Sequence, residues 1–212
     1  LLTVGGDGTV LYALQKSPNT PVLGINMGGK GFLADVTPSN AFKAIDKLLD
    51  GKLTITKRER LSVQVEGEHL ANGLNVGVIR SKEPSRVLSF KVKLDGREVE
   101  KTRGDGLITA TPTGSTAYAM SAGGPVIDPR VKGLVLVPLS PLRTHTMPLI
   151  FPINSEIEVE LLEPKKKADV TVDGQATKIA GEGDVIKFRK ADKKAKFFEW
   201  EKDFYKKVRE KL

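Results

Sequence analysis

A chain of 212 residues, 39% hydrophobic and 28% charged, is long enough for one large domain or two small ones, and it has no apolar run of about 18 residues that would span a membrane. The absence of cysteine excludes disulfides and thiolate chemistry and fits a cytoplasmic protein, while two histidines, His69 and His145, are too few for a multi-histidine metal site. The net charge of +8 admits an anionic partner, but Lys165-Lys166-Lys167 and Lys193-Lys194 lie beside predicted turns without interleaved aromatics, so no nucleic-acid surface is expected.

The chain opens without a methionine on Leu1-Leu2-Thr3-Val4, an apolar β-type stretch that reads as a buried strand and as the interior of a longer protein. Gly5-Gly6-Asp7-Gly8 is a turn, after which Val10, Leu11 and Leu14 mark one helical face. Residues 21–26 (PVLGIN) form a short buried-type strand, followed by a second glycine-rich turn at Gly28-Gly29-Lys30-Gly31. Thr37 reads as an N-cap with Pro38 at the first helical position, Phe42, Ile45, Leu48 and Leu49 as the buried stripe, and Gly51 as the stop. This grammar predicts an α/β N-terminal domain over residues 1–54, built on a truncated parallel sheet whose leading strands are missing.

From Leu53 the period changes to two, as in Leu61, Val63, Val65 and again Phe90, Val92, Leu94. Asp95-Gly96 and Asp173-Gly174 are hairpin signals, and apolar runs at 107–110, 134–137, 157–161 and 185–188 add strands. A mostly β domain is therefore expected over residues 55–200, with one helix opening near Ser115 and His69 in an exposed hairpin. Phe204, Tyr205 and Val208 at helical spacing predict a C-terminal helix over 201–212.

Two segments carry chemistry. In Gly5-Gly6-Asp7-Gly8-Thr9, between strand and helix, glycines allow close backbone approach and exposed N–H groups cradle phosphate. A carboxylate there repels phosphate unless it binds a metal or accepts a hydroxyl proton; the alternative is that Asp7 merely caps the helix. The second segment, Thr111-Pro112-Thr113-Gly114-Ser115-Thr116-Ala117-Tyr118, runs on to Ser121-Ala122-Gly123-Gly124-Pro125. Its small hydroxyl residues offer hydrogen bonds to a polar planar ligand, and Tyr118 offers a stacking face.

Together these segments resemble the NAD kinase family. The resemblance extends to residues 24–33 (GINMGGKGFL), Gly73-Leu74-Asn75, Arg103-Gly104-Asp105-Gly106 and Val172-Asp173-Gly174-Gln175, collinear over nearly the whole chain. GGDGT alone is shared with lipid kinases of the diacylglycerol kinase group, which lack the TPTGSTAY and GGP block. The resemblance implies an α/β domain followed by a β-rich domain, with NAD bound in the cleft between them. It implies phosphorylation of the adenosine 2′-hydroxyl of NAD by ATP or polyphosphate, with Mg²⁺ accompanying ATP, in a homodimer or homotetramer.

Carried onto this sequence, the family pattern makes Asp7 the acceptor of the hydroxyl proton and Gly5, Gly6, Gly8 and Thr9 the phosphate loop. Asn75 would contact the adenosine, Thr116, Ala117, Tyr118 and Ser121 the adenine, Asp105 the nicotinamide end, and Asp173 would lie near the dinucleotide. Phe32 would help wall the pocket, and Lys30 or Arg143 could clamp a phosphate. One position departs: the family's Glu after Asn is here Val76, a position expected to face the ligand, with the β core as the alternative. That departure keeps a catalytically weak NAD(P)-binding protein as the alternative to an active kinase, with a lipid kinase as a more distant one.

Overall fold

The computed structural model describes residues 1–29, 31–83, 86–142 and 146–212. The chain forms two compact units, Leu1–Arg58 with Lys193–Leu212, and Glu59–Asp192. Lys30, Arg143 and His145, weighed above, lie outside the described residues.

The first unit begins with β1 (Leu2–Gly5), α1 (Asp7–Lys16), β2 (Leu23–Asn26), α2 (Ala41–Leu49) and β3 (Ile55–Arg58). In the second unit follow β4 (Leu61–Val65), β5 (Glu68–Gly73), β6 (Val76–Ser81), β7 (Leu88–Leu94), β8 (Arg97–Gly104) and β9 (Gly106–Ala110). The one-turn α3 (Tyr118–Ser121) interrupts them before β10 (Gly133–Leu139), β11 (Leu149–Pro152), β12 (Ile157–Leu161), β13 (Ala168–Val172), β14 (Ala176–Ala180) and β15 (Val185–Lys190). The chain then returns to the first unit with β16 (Ala195–Phe198) and α4 (Phe204–Lys211). Residues 193–200, expected with the β-rich domain, thus lie in the first unit, because β16 pairs antiparallel with β3 and Phe197 bridges to Val22.

In the first unit β1 and β2 pair in parallel, joined through α1. Val10 and Leu14 of α1 are buried, and Thr3 shares their face, because its ladder partner Gly24 lies against Val10. The opening strand is not buried as expected. Leu2 and Val4 point to the other face of this two-stranded sheet and are exposed. A second correction concerns α2, which presents two apolar stripes of the same spacing. Ala41, Ala44 and Leu48 pack toward Leu23, Ile25 and Val36, whereas Phe42 is 84% and Leu49 80% exposed. Small alanines let the helix approach the strands closely, so that stripe wins over the bulkier one.

The second unit is built from two six-stranded antiparallel sheets among its described residues, β11-β10-β9-β6-β13-β14 and β5-β4-β15-β12-β7-β8. Their inner faces share one core that includes Val63, Phe90, Val159 and Phe188 from the second sheet and Ile79, Leu107, Leu134 and Val170 from the first. Alternation sends the other side chains of the first sheet outward, where Val76, Ile108, Ala110, Val135 and Val137 are covered by Ala119 and Ile127. The segment that follows β9 is therefore packed onto the sheet. Among the described residues no helix is long and apolar enough to cross a membrane.

Candidate functional site

In the first unit the GGDGT turn links β1 to α1. Gly5 has φ +153°, and a Cβ there would lie 2.3 Å from Thr9 Oγ1, so the turn closes only on glycine. Gly6 occupies the N-cap position of α1 and Asp7 its first residue. The Asp7 side chain neither caps the helix nor stands free. It accepts the backbone N–H of Phe32 at Oδ2 (2.7 Å) and those of Leu33 and Ala34 at Oδ1 (both 3.0 Å). A carboxylate has about four lone-pair positions, so these bonds leave room for one more donor. Gly8 and Thr9 are exposed in the first turn of the helix, and Phe32 is half-buried.

In the second unit the sheet order brings three distant segments to one end. Val76, first in β6, pairs with Ala110, last in β9, and Val172, last in β13, pairs with Gly77. Asn75, Thr111 and Asp173 leave the sheet side by side. Asp173, with φ +49° in its hairpin, accepts the N–H of Leu74 at Oδ2 (2.5 Å) and those of Asn75 and Val76 at Oδ1 (3.0 and 2.8 Å). Thr111 donates its N–H to the Asn75 carbonyl (2.9 Å) and its hydroxyl to that of Leu74 (2.5 Å). Gly114 completes the lock, since a Cβ there would come within 2.5 Å of three Asn75 backbone atoms. Held on every side, Asn75 is buried, yet its side-chain Oδ1 has no hydrogen-bond partner among the described residues. An orphaned acceptor in so fixed a frame calls for a ligand or a water.

Burial pushes the Asp173 carboxyl above the ordinary aspartate range, against the pull of the Val76, Leu74 and Asn75 amides and the positive charge of Arg60. Arg60 is itself buried, donates to the Asn72 carbonyl (2.6 Å), and has its pKa lowered by desolvation against the attraction of Asp173. Sequence reading missed Arg60 entirely. It sits in a dense charged stretch, Lys57-Arg58-Glu59-Arg60, where nothing marks one cation for burial.

Among the residues expected to meet the adenine, Thr116 and Ala117 are half-buried, while Tyr118 and Ser121 are exposed. Ser115 of this segment is fully buried, and its hydroxyl accepts the Ile127 N–H (2.9 Å) and donates to the Pro112 carbonyl (2.7 Å). Asp105 stands apart. It precedes the opposite end of β9, where its N–H meets the Leu139 carbonyl (2.9 Å), six residues or roughly 20 Å from Thr111 at ~3.4 Å per residue. Val76 does not face outward to a ligand as expected. It is 7% exposed and packs with Ile108, Ala110, Ala119 and Ile127 under the Thr111–Ser121 segment. Among the described residues no group of three or more His, Cys, Asp or Glu side chains could hold a metal ion.

Residues 1–53 match the ATP-NAD kinase N-terminal domain and residues 74–200 the ATP-NAD kinase C-terminal domain. The chain belongs to the ATP-NAD kinase family. It is 44% identical over 214 residues to a NAD kinase of Methanothermobacter thermautotrophicus, an alignment covering all of this chain and 75% of that protein. The fold matches that of an NAD kinase from Archaeoglobus fulgidus solved in complex with ATP, with a TM-score of 0.87, 34% identity, and coverage of 98% of this chain and 82% of the other. It matches yeast NADH kinase complexed with NADH at a TM-score of 0.92 and 26% identity, over 99% of this chain and 64% of the yeast one. The fold, an N-terminal α/β region with a mostly β domain, is that of NAD kinases, and phosphotransferase activity follows from membership of the family.

Proposed function

We propose that the chain transfers the terminal phosphoryl group of ATP, or of another phosphate-chain donor, to the 2′-hydroxyl of the adenosine ribose of NAD, giving NADP. The observation that carries this reading is the buried Oδ1 of Asn75, unpartnered among the described residues, at the sheet end where Thr111, Gly114 and Asp173 also lie. Asn75 offers that oxygen to a donor on the adenosine, Tyr118 lays its exposed ring against the base, and Asp173 with Arg60 keeps the Leu74–Val76 backbone in place. Asp105 takes the nicotinamide end, and Ser121 lines the mouth of the adenine pocket.

Asp7 supplies its one remaining acceptor position to the reacting hydroxyl, and Gly5, Gly6, Gly8 and Thr9 present the start of α1 to phosphate. The hydroxyl oxygen forms the new bond to phosphorus as the bond to the leaving phosphate oxygen breaks, and the hydroxyl proton passes to Asp7. Positioning and charge neutralisation carry most of the acceleration in such a transfer. Mg²⁺ enters on the phosphates of the donor, as part of the substrate. The enzyme works in the cytoplasm as a homodimer or homotetramer.

Val76 favours a second reading, a protein that binds NAD(P) with little turnover. Titrating NAD binding and measuring NADP formation with Mg²⁺ and either ATP or polyphosphate separates the two. Tight binding without NADP from any donor would leave only the second reading.

A further inference from the structure

Apart from the residues assigned above, the first unit holds a cavity of about 460 Å³ between the Gly28-Gly29 turn, the segment before α2, and α4. Three lysines of α4 line it, and two are already paired. Lys207 meets Asp35 at 2.5 Å with both side chains 11% exposed, and Lys206 meets Glu201 at 2.7 Å. Lys211 is different. Its ammonium donates to the Gly31 carbonyl and lies 5.7 Å from the centroid of the Phe32 ring, with no carboxylate at ion-pairing distance among the described residues. A cation near a helix C-terminus is favourable in water, but that does not explain one that is half-buried, whose pKa is lowered by desolvation and by Lys207 against the opposing charges of Asp35, Asp7 and Glu210.

The carbonyl that holds Lys211 belongs to the residue packed on Asp7. A Cβ at Gly31 would lie 2.6 Å from Asp7 Oδ1, and the next three residues give that carboxylate their N–H groups. An ammonium carries three donors, and one carbonyl leaves two of them for a ligand. Asn26 fastens the neighbouring turn, accepting from the Gly28 N–H and donating to the Gly29 carbonyl. Gly28 and Gly29 are thus held open on the cavity wall without side chains to fill it.

We propose that Lys211 binds the phosphate chain of the phosphoryl donor, with the cavity beside Gly28 and Gly29 receiving the part of the chain farther from Asp7. The assignment rests on the kinase reading above and adds the group that reads the donor. It holds for any linear phosphate chain, whether the triphosphate of a nucleotide or inorganic polyphosphate.

Lys211→Ala and Lys211→Arg, made in the full-length protein, test it. With saturating NAD, Lys211→Ala should raise KM for ATP at least about tenfold, the loss expected for one charge-assisted hydrogen bond. KM for NAD should stay within about twofold, thermal stability should hold, and arginine should recover most of the donor affinity. Calorimetry with tripolyphosphate, with no NAD present, should show binding by the parent that Lys211→Ala loses; AMP as a second titrant separates recognition of the chain from recognition of the nucleoside. An unchanged KM for ATP with unchanged tripolyphosphate binding overturns the proposal. So does an equal rise in both KM values, or a fall in Tm that accounts for the loss and that Lys211→Met, which keeps the alkyl stem, reproduces without arginine rescue. Lys211-dependent tripolyphosphate binding in a protein that makes no NADP from any donor would remove the kinase reading and leave the lysine assignment standing.

Discussion

Asp7 and Asp173 perform the same task in separate units: each carboxylate gathers the N–H groups of three successive residues, Phe32–Ala34 for one and Leu74–Val76 for the other. Three N–H groups in a row converge only where the chain curls tightly, and there they cannot all be met by a ladder partner. A carboxylate supplies the missing acceptors at a fixed point. In both cases the clamped segment carries a residue expected to touch the dinucleotide, Phe32 or Asn75.

For Asp7 the clamp and the chemistry can be separated kinetically. Asp7→Asn keeps one acceptor oxygen but turns an NH₂ group toward a backbone N–H. We expect kcat to fall about 10²–10⁴-fold, the usual cost of losing a general base, with a much smaller change in NAD affinity. Steady-state kinetics beside thermal unfolding provide the check. A normal kcat with only a raised KM would make Asp7 a binding residue.

For Asp173 the test is pH. Its folded pKa is raised, so the folded protein binds a proton that the unfolded chain releases at its lower value. The contribution of Asp173 to stability is therefore fully present below the unfolded pKa and is lost as pH rises through the folded one. The stability deficit of Asp173→Asn should be largest in acid and should narrow toward neutrality, measured as Tm of both proteins from pH 4 to pH 7, a range beginning near the ordinary aspartate value of about 3.9. A deficit that instead widened with pH would mean that the amides and Arg60 outweigh burial.

Tyr118 is 40% exposed at the start of α3, while its neighbour Ala119 is fully buried in the apolar cluster. Tyr118→Ala should leave Tm nearly unchanged and weaken NAD binding by roughly 1–3 kcal/mol, the scale of a base–aromatic stack. Isothermal titration with NAD reads the second effect. Undiminished affinity would take the ring out of the adenine pocket.

At Val76 the packing reverses what the family pattern suggests. Val76→Glu places a carboxylate among Ile108, Ala110, Ala119 and Ile127. Burying an unpaired charge costs several kcal/mol or forces protonation, so we expect a clear fall in Tm with no gain in kcat/KM. A gain in NAD affinity at unchanged Tm would show that the longer side chain escapes the cluster and reaches the ligand.

Local chemistry was readable where the chain settles matters with its immediate neighbours. Asp95-Gly96 and Asp173-Gly174 both form their hairpins with positive φ at each residue, as the turn signal requires. The alternation at Leu61–Val65 and Phe90–Leu94 also reports the core faithfully. Sequence periodicity failed at α2, where two stripes of identical spacing compete and only the strands beneath choose between them. It could not show that Asp173 reaches back 97 to 99 residues to hold Leu74–Val76, or that Lys211 reaches Gly31 from 180 residues away. Such contacts depend on the order of strands and on where the final helix docks. No short window of sequence holds either.

The pairing of β3 with β16 has a consequence for synthesis. The first unit is interrupted: Ile55–Arg58 waits for Ala195–Phe198, and Val22 waits for Phe197. Everything the second unit needs lies between Glu59 and Asp192. A ribosome delivers residues in order, and domains fold as units once their chain is out. The β sandwich is thus complete while the GGDGT segment, made before it, still lacks its closing strand and the helix that bears Lys211. The unit that carries GGDGT is begun before the β sandwich and closed after it.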